Sequence, residues 1–571
     1  MKEFFKTLKE IISILPKEKN TKLPFIVFLL FLQSIFEIIG LGAIFPVILS
    51  IFDTTFHIDN LIGKFIYEFL GFTHRNDLIL FFSVCLLFLI IIKNILSLLI
   101  IKYCSKFSYS IYRDLAIKLH GAYYKKGFLF FTDTNSSTIW RDINQATFWF
   151  GSMQVMGALI IINEIILTLL ICSAIVFYNF KVALLLAFLV FPPFYLFYMW
   201  VQKRSLNLGL QRKIIIPQLT KNYYQAIHGY TDIMISGKQT YFANKIKNKI
   251  KDLIEVEVES TVNNYAPSKI IETALMFSIC AITIYGIYFL ENTNEIISTL
   301  SLLAIAGYRL TPSINRIVTS LNSMTQTKWV FPIILENISN TLREKTKDID
   351  LIFKNKLHLK KISFSYPNKK NKILDDFSLI INKGEKLGIK GESGSGKTTI
   401  LNIILGFLSP TSGSYFIDDR ELTQSTLASF RTKIGYVNQH VFLLDGTIKE
   451  NIAFGIDDSD INIKFLETVL KQAKLWNVVK EMPNGINENI GENGVKLSGG
   501  QRQRIGIARA LYQQAEILIF DEATSALDNI TEREITNSIK NLTKSNLTII
   551  IIAHRETSLK YCDRIIDLSK K

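Results

Sequence analysis

GESGSGKTT, residues 391–399, fits G-x-x-x-x-G-K-[ST], with Gly391, Gly396, Lys397 and Thr398 in the fixed positions. A strand-like apolar run (385–389) precedes it and a helix-like run (399–405) follows. That setting gives the pattern its meaning, because glycines let the backbone close around phosphates with its N–H groups turned inward. Gly391, Glu392, Ser393, Gly394, Ser395, Gly396, Lys397, Thr398 and Thr399 form the candidate cradle. Lys397 supplies a mobile positive charge for β/γ-phosphates, and Thr398 a hydroxyl for Mg²⁺. The start of the following helix favours the anion.

A second module lies downstream. LSGGQ (497–501) runs into a helix-like stretch (502–511), and an apolar strand (517–520) then ends in Asp521-Glu522. An acid at the end of a buried strand beside a phosphate loop is the expected partner of Mg²⁺ or of water. Asp521 is placed to act on the metal through its water shell, and Glu522 to orient or deprotonate the attacking water. SALD (525–528) and His554, in IIIIAHR, follow. The order phosphate loop, Gln439, LSGGQ, DE, SALD, His resembles the ATPase domain of ABC transporters.

That resemblance implies ATP and Mg²⁺, and it carries roles to matching positions. Tyr366, in ISFSYPN, matches the aromatic that stacks on adenine, and Gln439, in IGYVNQ, the glutamine that touches Mg²⁺ and faces the membrane domain. Ser498, Gly499, Gly500 and Gln501 would close over the γ-phosphate of the opposite subunit. Asp528 matches the residue that communicates across the dimer, and His554 the γ-phosphate sensor. Two positions depart from the family pattern: Lys390 replaces an apolar residue before the loop, and Asn438 stands where proline is usual. Neither removes a catalytic group.

The first part of the chain is different in kind. Of 571 residues 49% are hydrophobic, and the apolar ones concentrate before residue 341. Six runs near the ~20 residues needed to cross a bilayer occur at 23–52, 78–101, 153–177, 182–201, 271–290 and 296–317. The expected fold is a polytopic α-helical membrane domain with six spans (1–341), a charged linker (342–356) and a phosphate-loop α/β ATPase domain (357–571), assembled as a two-fold dimer. Lysines and arginines crowd the N-terminus and the loops after spans two and four, which places both termini in the cytoplasm. The net charge of +16 therefore follows topology and does not point to nucleic acid. Residues 1–21 lack the apolar core of a cleavable signal. Five cysteines, with no C-x-x-C pair, read as reduced packing residues.

From residue 77 to about 126 there are few helix breakers. A helix of that length outruns the ~30 Å hydrocarbon core and must project beyond it. Turns near 128–135 and 236–241 would be the levers that meet the ATPase. This layout resembles exporter-type half-transporters over nearly the full chain, which implies a homodimer in a bacterial inner membrane.

The cargo must be read from ionisable groups within the spans, which are costly there and point to function. YRLTPSINRI (308–317) holds Arg309 and Arg316 about two helical turns apart, hence on one face. Lys93 lies inside span two and Lys269 begins span five. Two readings stand. The four cations form a belt that contacts substrate, the arginine fork being suited to phosphate. Alternatively they pair internally with Glu37, Glu164 and Glu272, the last three positions after Lys269. YRLTPSINRI, Glu37 and an amphipathic stretch at 58–72, expected to lie in the outer interface, are similar to bacterial flippases of lipid-linked oligosaccharides. The resemblance implies transfer of a polyprenyl-pyrophosphate glycan to the outer leaflet. An exporter of peptides, drugs or other lipids is the alternative within the class, and an ATP-gated channel or regulatory ATPase the alternative outside it.

Overall fold

The computed structural model describes residues 2–43, 75–178, 180–289, 293–339, 349–367, 371–392, 394–522, 547–553 and 559–569. The chain divides into two compact units, Met1–Arg343 and Glu344–Lys571.

The first unit is helical. Among the described residues, an amphipathic α1 (Lys2–Ile14) precedes six long helices: α2 (Leu23–Gly42), α3 (Arg75–Lys125), α4 (Met156–Tyr178), α5 (Phe180–His228), α6 (Gln239–Phe289) and α7 (Thr293–Gln326). A short α8 (Val330–Ser339) follows. The breaker-poor stretch from residue 77 is one helix, α3, of 51 residues, and α5 and α6 have 49 and 51. At ~1.5 Å per residue each is about 75 Å long, more than twice the thickness of a hydrocarbon core.

The turns expected near 128–135 and 236–241 are present. Gly127 (φ +80°) ends α3, and Asn135 Oδ1 accepts from the Ser137 N–H at 3.1 Å to start the next helical piece. Gly237 (φ +64°) separates Tyr230–Ile235 from α6. Among the described residues, Lys17–Gly40, Ile79–Lys125 and Ser136–Phe177 are long and apolar enough to cross a membrane. Helices also run through 182–201, 271–289 and 296–317, but many side chains there lie outside the described residues, as does all of 58–72.

Two π-helical stretches, Arg141–Ala146 and Phe150–Val155, lead into α4. Between them and α3 lies a core that includes Phe107, Ile111, Leu115, Phe150, Trp329 and Ile334. α5 approaches α7 closely at Gly209, where a Cβ would overlap the backbone of Gln326 at the end of α7. All five cysteines are free: Cys104 is buried, Cys562 half-buried, and Cys85, Cys172 and Cys280 exposed.

The second unit holds two sheets. The antiparallel one contains β1 (Lys356–Phe364), β2 (Leu374–Asn382), β4 (Ser412–Ile417) and β5 (Arg420–Glu421), in the order β2-β1-β4-β5. The parallel one contains β3 (Lys386–Lys390), β6 (Ile434–Val437), β7 (Ile517–Asp521), β8 (Thr548–Ile552) and β9 (Arg564–Asp567), in the order β6-β7-β8-β3-β9. β8 is buried along its whole length, which matches its unbroken isoleucine run: a parallel strand covered on both faces needs no polar alternation.

Part of the stretch expected as linker belongs to this unit. Leu351 and Phe353 are each 1% exposed. Asp418 accepts from the backbone N–H groups of Lys354, Asn355 and Lys356 at 2.7–2.8 Å. The charged composition of 342–356 hides these two apolar anchors.

Candidate functional site

β3 delivers the chain to the phosphate loop, and α9 (Lys397–Ile404) carries it away. Gly394 (φ +86°) and Gly396 (φ +95°) hold left-handed backbone that other residues resist, and Gly396 is the N-cap of α9. The Lys397 side chain is buried, and its ammonium donates to the carbonyls of Gly391 (2.7 Å) and Glu392 (2.8 Å). The ammonium is thus held over the loop. Ser395 Oγ is buried with no partner, and a Cβ at Gly391 would come within 2.6 Å of it. A tight loop with a spare hydroxyl, a buried lysine and a helix N-terminus fits a polyphosphate. Thr398 is exposed, while Thr399 is buried beneath the loop.

Parallel register brings the acids to the same edge. Ile389 of β3 lies beside Ile552 of β8, and Ile552 beside Asp521 of β7, so the loop and Asp521-Glu522 leave the sheet at its carboxyl end. Burial pushes the Asp521 carboxyl above the usual range, and the neighbouring Glu522 charge adds to this. A hydrogen bond from Tyr436 Oη (3.0 Å) and the Lys397 charge oppose it. Glu522 sits at φ +46°, left-handed backbone in a non-glycine residue, with its N–H donated to Ile552 O at 2.9 Å. Such strain persists only where surroundings impose it. Tyr436 is a site residue that the motifs did not reveal; it lies on β6, three residues before Gln439.

LSGGQ opens α10 (Gly499–Tyr512). Ser498 is the N-cap: its Oγ accepts from Gln501 N–H (3.2 Å), while Gln501 Oε1 accepts from Ser498 N–H (2.9 Å). This reciprocal cap was readable as S-x-x-Q before a helix. It holds the backbone of Gly499 and Gly500 in the first turn. Tyr366 follows β1, its ring edge-on to Phe364 at 5.1 Å, and Gln439 follows β6. Ser393, Asp528 and His554 lie outside the described residues. The atypical Lys390 pairs across the sheet with Asp567 at 3.7 Å, which accounts for a charge at that strand end. Asn438 is exposed just after β6.

A family model described as ABC transporter matches residues 374–525. The chain is 30% identical to an ATP-dependent lipid A-core flippase of Polaromonas sp. over 464 residues, 79% of this chain and 77% of that protein. The chain belongs to the ABC transporter family. It is also 34% identical over 388 residues to an ATP-dependent lipid A-core flippase of Francisella tularensis subsp. holarctica, covering 66% of this chain and 63% of that one. A bacterial Atm1-family ABC exporter with ATP bound shares the fold, with a TM-score of 0.72 and 21% identity over 92% of this chain and 93% of that one. The ABC transporter thus has a helical transmembrane domain and an ATPase domain on one chain, and couples ATP hydrolysis to transport.

In the transmembrane domain of this ABC transporter, all four cations singled out in the sequence have carboxylate partners within the chain. Lys93 (α3) and Arg309 (α7) both contact Glu37 Oε2 of α2, at 3.0 and 3.1 Å. Arg316 (α7) makes a two-pronged contact with Glu164 of α4, at 2.7 and 3.1 Å. Lys269 pairs with Glu272 at 2.9 Å, both exposed. Internal pairing is therefore realised at each position. Yet Glu37, Glu164, Arg309 and Arg316 also line one cavity of about 340 Å³, so pairing and access to a ligand coexist there. Neither Lys93 nor Lys269 is among the cavity's lining residues.

Proposed function

We propose that this ABC transporter flips a phosphate-bearing glycolipid, a lipid-linked (polyprenyl-pyrophosphate) oligosaccharide, from the cytoplasmic to the outer leaflet of the bacterial inner membrane. The observation that carries the reading is the cavity of about 340 Å³ between α2, α3, α4 and α7, whose wall sets two arginines and their two glutamate partners among apolar side chains. Arginine in such a place suits a pyrophosphate entering from a lipid environment. The names of the relatives favour a second cargo, lipid A-core. Arg309 and Arg316 would hold the headgroup phosphate directly, with Lys93 and Lys269 extending the positive belt.

In the ATPase domain, Tyr366 would stack on adenine, and residues 391–399 with Lys397 would cradle the phosphates of ATP. Thr398, Gln439 and Asp521 would hold Mg²⁺, which neutralises phosphate charge when bound. Glu522 would take the proton of the attacking water, and His554 would face the γ-phosphate. Ser498, Gly499, Gly500 and Gln501 of a second copy would close the site, with Asp528 at the dimer contact. Because one chain carries every motif, a homodimer suffices. Both termini would be cytoplasmic; cysteine labels at Lys125 and Lys247 should react only after permeabilisation, and the opposite result would reverse this orientation.

The test is transport by the reconstituted protein across a panel of polyprenyl-pyrophosphate glycans, lipid A-core glycolipids, apolar drugs and peptides. ATP-dependent movement confined to the phosphate-bearing lipids supports the reading. Movement of drugs or peptides alone, or ion conductance without lipid movement, refutes it.

A further inference from the structure

The cavity's charges nearly cancel. Glu37 shares one oxygen between Lys93 and Arg309, giving that cluster a net charge of only +1, while Arg316 and Glu164 neutralise one another. The three members of the first cluster come from α2, α3 and α7, and their side chains are only 15–18% exposed. The contact is built into the packing: Lys93 lies over Gly40, one turn beyond Glu37, where a Cβ would come within 3.0 Å of Lys93 Cδ. Hydrogen bonding nevertheless remains incomplete. Arg309 Nε and Ser97 Oγ, both from residues that line the cavity, are buried with no partner. An arginine ion-paired to a carboxylate through one nitrogen, with another nitrogen buried and unsatisfied, is prepared to hold a second anion.

We propose that Glu37, held by Lys93, is an internal counter-ion that competes with the cargo's phosphate for Arg309, and so sets how strongly the transporter selects anionic lipid headgroups. The inference rests on the phosphate-lipid reading above. Without cargo, the carboxylate satisfies two cations that would otherwise be stranded at membrane depth. When a headgroup phosphate reaches the cavity, it takes over Arg309 while Lys93 keeps Glu37 neutralised, and Arg309 Nε and Ser97 Oγ supply donors that Glu37 leaves unused. Glu37 therefore lowers affinity for every anion, and only a headgroup with enough charge and donors displaces it. It is a specificity-determining residue and takes no part in ATP chemistry.

The experiment measures ATPase stimulation of the full-length protein in phosphatidylcholine vesicles doped with increasing phosphatidic acid. E37Q removes the competing charge and should lower the half-stimulating phosphatidic acid content about fivefold, the scale expected when one nearby like charge is lost from a partly buried site. K93M leaves Glu37 to neutralise Arg309 alone and should raise that content. A purely structural role for the cluster would move both variants in the same direction, and that result overturns the inference. If E37Q does not fold, E37D applies the same test, because its shorter carboxylate cannot reach both cations and should shift the response in the E37Q direction. An unshifted E37Q or E37D beside a responsive wild type overturns the role of Glu37 alone. A wild type indifferent to phosphatidic acid overturns this inference and the phosphate-lipid reading together. Stimulation by inorganic phosphate alone would assign the cavity to a soluble anion and also contradict the proposal.

Discussion

Arg316→Met isolates the best-formed ion pair of the transmembrane domain. The guanidinium donates through Nε and Nη2 to the two oxygens of Glu164 at 2.7 and 3.1 Å. The glutamate side chain is only 4% exposed, whereas the arginine is 42% exposed. After the substitution the carboxylate stays buried, with a single weak donor left in Asn163 Nδ2 at 3.3 Å. Stranding one member of a buried pair costs ~3–5 kcal/mol. Because the arginine is partly open to its surroundings, the lower figure, about 3 kcal/mol, applies here. Glu164→Gln in the same chain removes the stranded charge and should bring the loss back to about 1 kcal/mol, about 2 kcal/mol less than for R316M alone. In thermal unfolding of the detergent-solubilised protein, followed by tryptophan fluorescence, R316M should lose about 3–6 °C and the double variant about 1–2 °C. Equal losses in the two variants would show instead that Glu164 does not depend on Arg316.

Glu522→Gln should keep ATP binding but slow turnover by about 10²–10⁴-fold, since the amide fits the same space and cannot take the water's proton; full activity would remove Glu522 from its assigned role. Gly209→Val should lower thermal stability by about 1–3 kcal/mol or more, because its Cβ overlaps the Gln326 backbone, and a variant as stable as the wild type would contradict that close approach. Glu516 is pushed up by burial, but Lys383 and Lys433, at 2.9 and 3.1 Å, hold its carboxyl below its ordinary value of 4.5. Its contribution is therefore present above that value and lost as pH falls through the depressed one, so Glu516→Gln should cost about 0.5–1 kcal/mol at neutral pH and nothing in strong acid. A loss independent of pH, measured by urea unfolding, would show that charge is not the cause.

Those parts of the molecule that depend on neighbours in sequence were legible there. The phosphate loop works through consecutive residues, and its strand, loop and helix appear as read. The long α3 follows from a run without breakers, and the Lys269–Glu272 pair from helical spacing. Contacts between distant segments were not legible in the same way. Charge composition marked 342–356 as linker, but whether Leu351 and Phe353 are buried depends on a site formed elsewhere in the chain, with Asp418 some sixty residues away capping the following backbone. The carboxylates near the spans were visible, but nothing local says that one oxygen of Glu37 serves cations from two other helices. The π-helical stretches before α4 leave no mark on apolar periodicity that composition could reveal. Tyr436 looks like an ordinary strand residue until the sheet order sets β6 beside β7 and Asp521.

We propose that ATP hydrolysis in the ATPase domain drives a phosphate-bearing glycolipid through the transmembrane domain. The most direct measurement is movement of a fluorescent polyprenyl-pyrophosphate glycan across the bilayer of proteoliposomes holding the wild type or Glu522→Gln. Movement that requires ATP and stops in the variant is the predicted result. Undiminished ATP hydrolysis with the glycolipid left in its original leaflet, or equal movement in the hydrolysis-deficient variant, would contradict ATP-driven flipping of this lipid.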